Sequence, residues 1–184
     1  AIGSSTGGVE ALTNILPQFP KNSPPILISQ HMPHYFTSSF AERLKKICSI
    51  DVCEAKHGDM VRSGRAYICP GSKHMGVTEA SNNLVIRIVD QLDANYTPSV
   101  DYLFSSLLPF IKSYSISLAL LTGMGDDGAK GMQVMHAKGA FTIAQDKDSC
   151  AVFGMPRSAI ELRAATLVLP LDRIARALLE KSLK

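Results

Sequence analysis

Ser5, His31 and Asp127 each stand just after a short apolar run of this sequence and just before a segment with helical periodicity. Short apolar runs rich in branched residues are typical of strands buried on both faces of a parallel sheet. In open α/β sheets ligands bind beyond the carboxyl ends of the strands, so residues far apart in the sequence converge there. A serine, a histidine and a carboxylate are the groups that nucleophilic acyl transfer requires.

Ser5 is the central residue of the run Gly-Ser-Ser-Thr-Gly at residues 3–7, which matches the G-x-S-x-G nucleophile elbow. In that motif a sharp strand-to-helix turn exposes the serine hydroxyl, and the glycines let the backbone pass closely. Ser4 is an alternative nucleophile. A different interpretation is that one of the hydroxyl residues caps a helix whose glycine-rich entry binds phosphate. The G-x-G-x-x-G spacing of dinucleotide-binding domains is absent.

His31 precedes Met32 and Pro33, and a proline disfavours helix at the residue before it, so the chain should turn out of the strand there. A histidine at a strand end can also be a hydrogen-bonded structural residue. Of the five histidines, His31 alone directly ends a predicted core strand. The competing histidines are His34, His57, His74 and His136.

The loop at residues 122–128 packs three glycines and two aspartates behind the most apolar strand candidate. One aspartate could orient His31 by accepting its other N–H, and a backbone N–H near Met124 could face a developing oxyanion. Asp126 or Asp127 could instead cap the following helix, or the pair could hold magnesium. A Walker-type phosphate loop, which would support the magnesium interpretation, is absent. The order serine, histidine, aspartate differs from that of α/β-hydrolases and disfavours an ordinary lipase or esterase.

Helix-like and strand-like periods alternate along almost the whole chain. The alternation predicts a single α/β domain over residues 1–184, with a doubly wound, mainly parallel sheet and helices on both faces. Residues 65–90 break the pattern with three short strands separated by turn sequences, which predicts an antiparallel hairpin at one edge. Predicted helices cover 8–16, 37–47 with Thr37 as N-cap, 100–112, 128–138, 156–164 and 172–183. Predicted strands outside the hairpin region cover 25–29, 50–55, 116–121, 140–144 and 166–169.

The composition is that of an ordinary globular protein, with 184 residues, 46% hydrophobic and 19% charged. A net charge of +3 with scattered Lys and Arg residues gives little support to nucleic-acid binding. No apolar run approaches the about 18 residues that span a bilayer, and the first residues do not resemble a signal peptide. The four cysteines lack zinc-site or disulfide spacing. We therefore expect a cytoplasmic protein with reduced thiols, not inserted in a membrane and without a metal.

Six short runs of this sequence, taken in order, resemble the catalytic domain of the bacterial chemotaxis protein-glutamate methylesterases. Each run is weak evidence alone, but their common order and spacing are highly specific and cover nearly the whole chain. The runs are Ile-Gly-Ser-Ser-Thr-Gly-Gly at 2–8, Gln-His-Met-Pro at 30–33, Gly-Arg-Ala-Tyr-Ile-Cys-Pro-Gly at 64–71, Pro-Ser-Val-Asp at 98–101, Leu-Thr-Gly-Met-Gly-Asp-Asp-Gly-Ala at 121–129 and Phe-Gly-Met-Pro at 153–156.

The resemblance implies a doubly wound α/β domain that removes methyl groups from glutamate methyl esters on the cytoplasmic helices of chemotaxis receptors and releases methanol. It implies no cofactor. Some members of the family also deamidate receptor glutamines, so deamidation is a second candidate reaction. The family normally carries an N-terminal receiver domain whose phosphorylation relieves inhibition. Because the sequence starts without methionine, inside what looks like a strand, we expect that domain to lie upstream of Ala1.

Carried over by motif, the resemblance makes Ser5 the nucleophile, His31 the general base and then acid, and Asp127 the residue that orients His31. Thr6 and the backbone of Met124 would line the oxyanion pocket. The motif favours Asp127 over its neighbour because it directly precedes the Gly-Ala pair at 128–129.

Two rival interpretations belong to other classes of protein. The first is a nucleotide- or phosphate-binding module that uses residues 3–8 and 122–128 as cradles and needs no histidine. The second is an adaptor that docks receptors without turnover, against which an intact serine–histidine–aspartate set argues.

Overall fold

Seven parallel strands form the main sheet in a computed structural model that describes residues 1–182. In chain order the strands are β1 (Ile2–Ser4), β2 (Ile26–Gln30), β3 (Asp51–Glu54), β4 (Arg65–Ile68), β5 (His74–Ala80), β6 (Asn83–Val89), β7 (Ser117–Leu120), β8 (Phe141–Gln145) and β9 (Leu167–Leu169). The main sheet has the order β3-β4-β2-β1-β7-β8-β9, and β5 pairs only with β6, in a separate antiparallel sheet.

Within residues 1–182, six α-helices cover the two faces of the main sheet. They are α1 (Gly8–Ile15), α2 (His34–Ile47), α3 (Val100–Ser106), α4 (Ala129–Ala137), α5 (Met155–Glu161) and α6 (Leu171–Ser182). The helices α1, α2 and α6 pack on one face, and α3, α4 and α5 pack on the other. The doubly wound α/β fold with helices on both faces is therefore confirmed. Among residues 1–182, no helix is long and apolar enough to cross a membrane.

Strand β7 is continuously apolar and buried from Leu118 to Leu120. Leu118 and Leu120 belong to the core under α3, α4 and α5, whereas Ala119 belongs to the core under α1, α2 and α6. Successive side chains of a strand point to opposite faces, so a strand covered on both sides must be apolar at every position. The strand therefore lies inside the sheet, between β1 and β8.

The strand order places three functional loops side by side. Strand β2 follows β1 through α1 and pairs with it on one side. Strand β7 pairs with β1 on the other side, and β8 and β9 lie beyond β7 in the sheet. In register, Gly3 lies level with both Ser29 and Leu120, so β2, β1 and β7 end close together. A doubly wound sheet opens a crevice where the strand order reverses. Here that crevice lies at the carboxyl ends of β1 and its two neighbours.

The structure corrects the predicted start of α2. This helix begins at His34 instead of after Thr37, because Pro33, at φ −60° and ψ 146°, supplies the extended residue that precedes the first turn. Thr37 lies inside the helix and is buried, and its hydroxyl donates to the Glu54 carboxylate and accepts from the Gly71 N–H. The prediction that Thr37 is an N-cap is therefore wrong.

Two further differences concern strand β4 and helix α3. The sequence predicts residues 65–68 within the antiparallel region, but they form a parallel strand between β2 and β3. The connection from β3 to β4 contains no helix, which removes the alternation that identifies a parallel unit in sequence. The predicted helix at 100–112 ends at Ser106, and a 3-10 turn follows at Leu108–Phe110 because Pro109 has no N–H to donate.

The expected hairpin forms between β5 and β6, and it makes a sheet of its own instead of extending the main one. Its apolar face packs into the same core as α3, where Met75, Val77 and Ile86 are buried. Over residues 1–182 the remaining predicted helices and strands are found within a few residues of their expected bounds. The predicted end of the last helix, at residue 183, lies outside the described residues. All four cysteines are free thiols.

Candidate active site

Ser5 lies in the turn between β1 and α1, at the carboxyl edge of the sheet. Its backbone N–H donates to the Thr122 carbonyl at 3.0 Å, which ties the turn to the loop after β7. Gly7 has φ +81°, and a Cβ at this position would lie 2.5 Å from the Ala151 Cβ. Only glycine fits both requirements. The tight turn that results leaves the Ser5 side chain facing the crevice.

His31 follows the end of β2 and lies next to Ser5. Its backbone N–H donates to the Ser4 carbonyl at 3.0 Å and so continues the pairing between β1 and β2. On the imidazole ring, Nδ1 is 3.1 Å from the Ser5 Oγ and Nε2 is 2.8 Å from the Asp127 Oδ2. The structure therefore brings together the three side chains that the sequence predicts, in one line of hydrogen bonds.

Asp127 is held by the first turn of α3. Its Oδ2 accepts from the Val100 N–H at 2.7 Å, and its Oδ1 accepts from the Ser99 hydroxyl at 3.2 Å and the Asp101 N–H at 3.0 Å. Burial by itself would raise the pKa of this carboxyl. The hydrogen bonds from His31 and from the Asp101 and Val100 N–H groups outweigh burial, and the pKa is lowered from its ordinary value. Asp127 is therefore ionised at neutral pH.

The ionised Asp127 determines which ring nitrogen of His31 carries the proton. A carboxylate only accepts hydrogen bonds, so Nε2 must be the protonated nitrogen of the neutral ring. Nδ1 is then an acceptor, and it faces the Ser5 hydroxyl. The two nitrogens have exchanged the places they occupy in the chymotrypsin triad, where Nε2 faces the serine. His31 can therefore take the Ser5 proton on Nδ1, and Asp127 can stabilise the imidazolium that forms.

Two backbone N–H groups beside Ser5 are uncommitted. Within residues 1–182, the N–H groups of Thr6 and Met124 make no hydrogen bond to another protein group. The loop after β7 passes directly next to Ser5, since a Cβ on Gly123 would lie 2.7 Å from the Ser5 Cβ. The Met124 side chain is 73% exposed at the mouth of the crevice. Free N–H groups next to a nucleophile are what an oxyanion site requires.

The alternatives at neighbouring positions have other contacts. Ser4 is fully buried, and its hydroxyl donates to the Gln30 Oε1 at 2.6 Å. Asp126 is exposed and accepts from the Tyr96 hydroxyl at 3.3 Å. Ser5 and Asp127, not their neighbours, therefore contact His31.

The geometry also bears on the magnesium interpretation of the two aspartates. Asp127 turns inward to α3 and Asp126 turns outward to Tyr96, so the two carboxylates do not converge. Over the described residues 1–182, no three His, Cys, Asp or Glu side chains are grouped as a metal site would need.

Gln30 is a site residue to which the sequence assigns no role. Its buried amide Nε2 donates to the carbonyls of Ser5 at 3.0 Å and His31 at 2.9 Å, while its Oε1 accepts from Ser4. One side chain thus connects the loops that carry the serine and the histidine. The only signal is its place beside His31 in the run at 30–33, but a run does not show where a side chain points.

Ser99 and His74 form a second layer behind Asp127. The Ser99 hydroxyl donates to Asp127, and its backbone N–H donates to the His74 Nδ1 at 3.2 Å. Burial lowers the pKa of His74 although the charge of Asp127 acts to raise it, so His74 is neutral at its place in the core. Ser99 lies in the run at 98–101, whereas the nearby Tyr96 carries no sequence signal.

The other histidines contact groups outside this network. His136 faces the Thr142 hydroxyl on β8, and His57 contacts the backbone of Ile88 on β6. His34 lies against the ring of Tyr35 at the start of α2.

Comparison with known proteins identifies relatives over nearly the whole chain. Residues 1–178 match the family model described as CheB methylesterase. The chain is 50% identical over 97% of its length to a protein-glutamate methylesterase/protein-glutamine glutaminase 2 of Chromobacterium violaceum, and it covers 50% of that protein. It is 47% identical over 98% of its length to a protein-glutamate methylesterase/protein-glutamine glutaminase of Salmonella typhi, of which it covers 52%. The chain thus spans about half the length of the curated relatives it matches.

A solved structure shares the fold. The crystal structure of the Thermotoga maritima CheB methylesterase catalytic domain superimposes with a TM-score of 0.91 at 40% identity, covering 97% of this chain and 95% of that one.

Replacing Gln30 tests the connection between the two loops. In Gln30→Ala the buried Ser4 hydroxyl loses its partner, and the Ser5 and His31 carbonyls lose a shared donor. We expect the free energy of unfolding to fall by about 1–3 kcal/mol, measured by urea denaturation. The exposed Gln91→Ala is the matched control and should change it by less than about 0.5 kcal/mol. Equal effects of the two substitutions would contradict the role given to Gln30.

The lowered pKa of Asp127 makes a prediction about stability in acid. A group whose pKa is lower in the folded state stabilises the fold above its unfolded-state value, here 3.8, and this contribution is lost as the pH falls through the folded-state value. Asp127→Asn should therefore be less stable than the wild type at pH 5 to 7, and this difference in stability should become smaller below about pH 4. Thermal denaturation of both proteins at several pH values measures the difference.

The exposed Asp126→Asn serves as the control, and its stability should be close to that of the wild type at every pH. A difference between Asp127→Asn and the wild type that stays constant from pH 7 to pH 3 would show that these hydrogen bonds do not stabilise the ionised form of Asp127.

Proposed function

This chain belongs to the CheB methylesterase family, and we propose that it is a serine hydrolase that removes methyl groups from glutamate methyl esters of methyl-accepting chemotaxis receptors. The observation that carries the proposal is the line of hydrogen bonds from Ser5 through His31 to Asp127 at the crevice of the sheet. Ligands of doubly wound sheets bind in this place. The names of the relatives supply the substrate class.

The first half of the reaction forms an ester on the serine. The Ser5 Oγ attacks the carbonyl carbon of the glutamate methyl ester while the His31 Nδ1 takes its proton. Asp127 stabilises the imidazolium, and the carbonyl oxygen becomes an oxyanion that accepts from the N–H groups of Thr6 and Met124. When the C–O bond to the methoxy group breaks, Nδ1 returns the proton and methanol leaves.

The second half releases the glutamate. A water molecule attacks the acyl group on Ser5, and His31 again takes the proton as general base. The bond to the serine breaks, the proton returns to the Ser5 oxygen, and the carboxylate of the product leaves. The net change is ester plus water to acid plus methanol, and no step calls for a cofactor.

Deamidation of receptor glutamines is a second reaction of the same site. The relatives are named glutaminases as well as methylesterases. A glutamine side chain presents the same acyl group with ammonia as leaving group, and the imidazolium of His31 can supply the proton that ammonia needs. Ser5, His31 and Asp127 keep their roles, and only the leaving group differs.

The lengths of the relatives support a proposal about the partners of the full-length protein. Because the relatives are about twice as long as this chain, we propose that the chain is the catalytic domain and that a receiver domain precedes it, with phosphorylation relieving inhibition. The substrates are then the cytoplasmic helices of chemotaxis receptors, and the site of action is the cytoplasm.

Methanol release from radiomethylated receptor membranes tests the proposal. We expect the wild-type chain to release methanol and Ser5→Ala and His31→Ala to lose about 10³-fold or more in rate, because the members of such a triad act as a unit. Ser113→Ala, an exposed serine at the opposite edge of the sheet, should release it at the wild-type rate.

Two results would contradict this function. Release by a folded Ser5→Ala at the wild-type rate would place the nucleophile elsewhere. The second result is a folded wild-type chain that releases no methanol from several receptors, together with tight nucleotide binding by both the wild type and His31→Ala. This result would support the phosphate-binding module instead.

A further inference from the structure

The ring of Tyr96 lies on one face of the His31 imidazole. The ring centroids are 5.2 Å apart and the planes differ by 8°, which is an offset stacked pair. Ester hydrolysis by the triad uses both nitrogens of His31 but makes no use of this contact. The segment that carries Tyr96 has no regular secondary structure and leads into α3, the helix that binds Asp127.

The loop that carries Asp127 also anchors Tyr96. The Tyr96 hydroxyl donates to the Asp126 Oδ1 at 3.3 Å. Gly125 leaves room for that hydroxyl, because a Cβ there would lie 2.4 Å from the hydroxyl oxygen, and its φ of +89° favours glycine as well. Two consecutive aspartates therefore fix the two ends of the segment at 96–101.

The His31 ring needs such a contact because of the geometry of its hydrogen bonds. The torsion that turns an imidazole about its Cβ–Cγ bond is broad, so the bond itself does not define the plane of the ring. Both hydrogen bonds of His31, to Ser5 and to Asp127, lie in that plane. A rotation of the ring would weaken both at once. A flat side chain on the face of the ring opposes the rotation and leaves both nitrogens free.

We propose that Tyr96 is a positioning residue, which holds the plane of the His31 ring in line with Ser5 and Asp127. The proposal rests on the proposed function, since it assigns a further residue to the same site. Tyr96 acts through the imidazole and not by contact with the substrate. The stacked ring carries this effect, and the hydroxyl bond to Asp126 keeps the ring in place.

Substitutions at Tyr96 separate the stacked ring from its hydroxyl. Tyr96→Ala removes both, whereas Tyr96→Phe keeps the ring and loses only the bond to Asp126. We expect Tyr96→Ala to lower kcat for methanol release about 10- to 100-fold with KM within about twofold, as misalignment of a catalytic group does. Tyr96→Phe should stay within about threefold of the wild type, because the stacked pair survives.

Labelling of Ser5 by a small uncharged fluorophosphonate gives a second readout that needs no receptor. The rate should fall in Tyr96→Ala by the same factor as kcat and recover in Tyr96→Phe. Tyr114→Ala is the matched control, since Tyr114 is an exposed tyrosine that packs edge-on against Phe110 before β7, away from the site. Its labelling rate should equal that of the wild type.

Melting temperatures establish whether each variant is folded. If Tyr96→Ala is not folded, Tyr96→Leu replaces it in the comparison with Tyr96→Phe.

The outcomes distinguish this inference from the proposed function. A wild-type chain that is neither labelled nor active would contradict the proposed function itself. If the wild type is active and Tyr96→Ala is labelled at the same rate, Tyr96 does not position His31. A rise in KM alone would make Tyr96 a substrate contact, and equal losses in Tyr96→Ala and Tyr96→Phe would transfer the effect from the ring to the hydroxyl. Each of these last three results overturns the inference.

Discussion

The buried carboxylate of Asp127 is the group on which the geometry of this crevice depends. A charge removed from water is costly unless hydrogen-bond donors surround it. Asp127 is 2% exposed in its side chain, and it accepts from the first turn of α3 on both oxygens and from His31 on one. The same charge therefore orients a helix, selects the protonated nitrogen of an imidazole and leaves the other nitrogen facing Ser5.

The sheet makes this arrangement possible because β2, β1 and β7 are neighbours. Their carboxyl ends bring His31, Ser5 and Asp127 to one place, although the hydrogen-bonded partners His31 and Asp127 are 96 positions apart in the chain. Hydrogen bonds then connect the loops to one another. Gln30 joins the loops after β1 and β2, and the bond from the Ser5 N–H to the Thr122 carbonyl joins those after β1 and β7.

The sequence predicted the parts of this site that leave a periodic or motif-like signal. Buried parallel strands are continuously apolar, and the loops that follow them carry Ser5, His31 and Asp127, so the sequence predicts both the fold and these three residues. The sequence does not predict contacts that depend on distances in three dimensions. Gln30 and Tyr96 are single residues whose roles come from side-chain direction, and neither periodicity nor spacing encodes that direction. The sequence predicts the strand at β4 but not its parallel pairing, because no helix lies between β3 and β4 to indicate a parallel connection.

The protonation state of the His31 ring tests most directly whether the charge of Asp127 organises the site. Nitrogen-15 NMR of the folded chain can distinguish the two neutral forms of an imidazole, and a His31→Gln variant identifies the signal. We expect the neutral ring to carry its proton on Nε2, with Nδ1 unprotonated and hydrogen-bonded to Ser5. A neutral ring protonated on Nδ1 would contradict this assignment, because Nε2 would then present a lone pair to an ionised carboxylate.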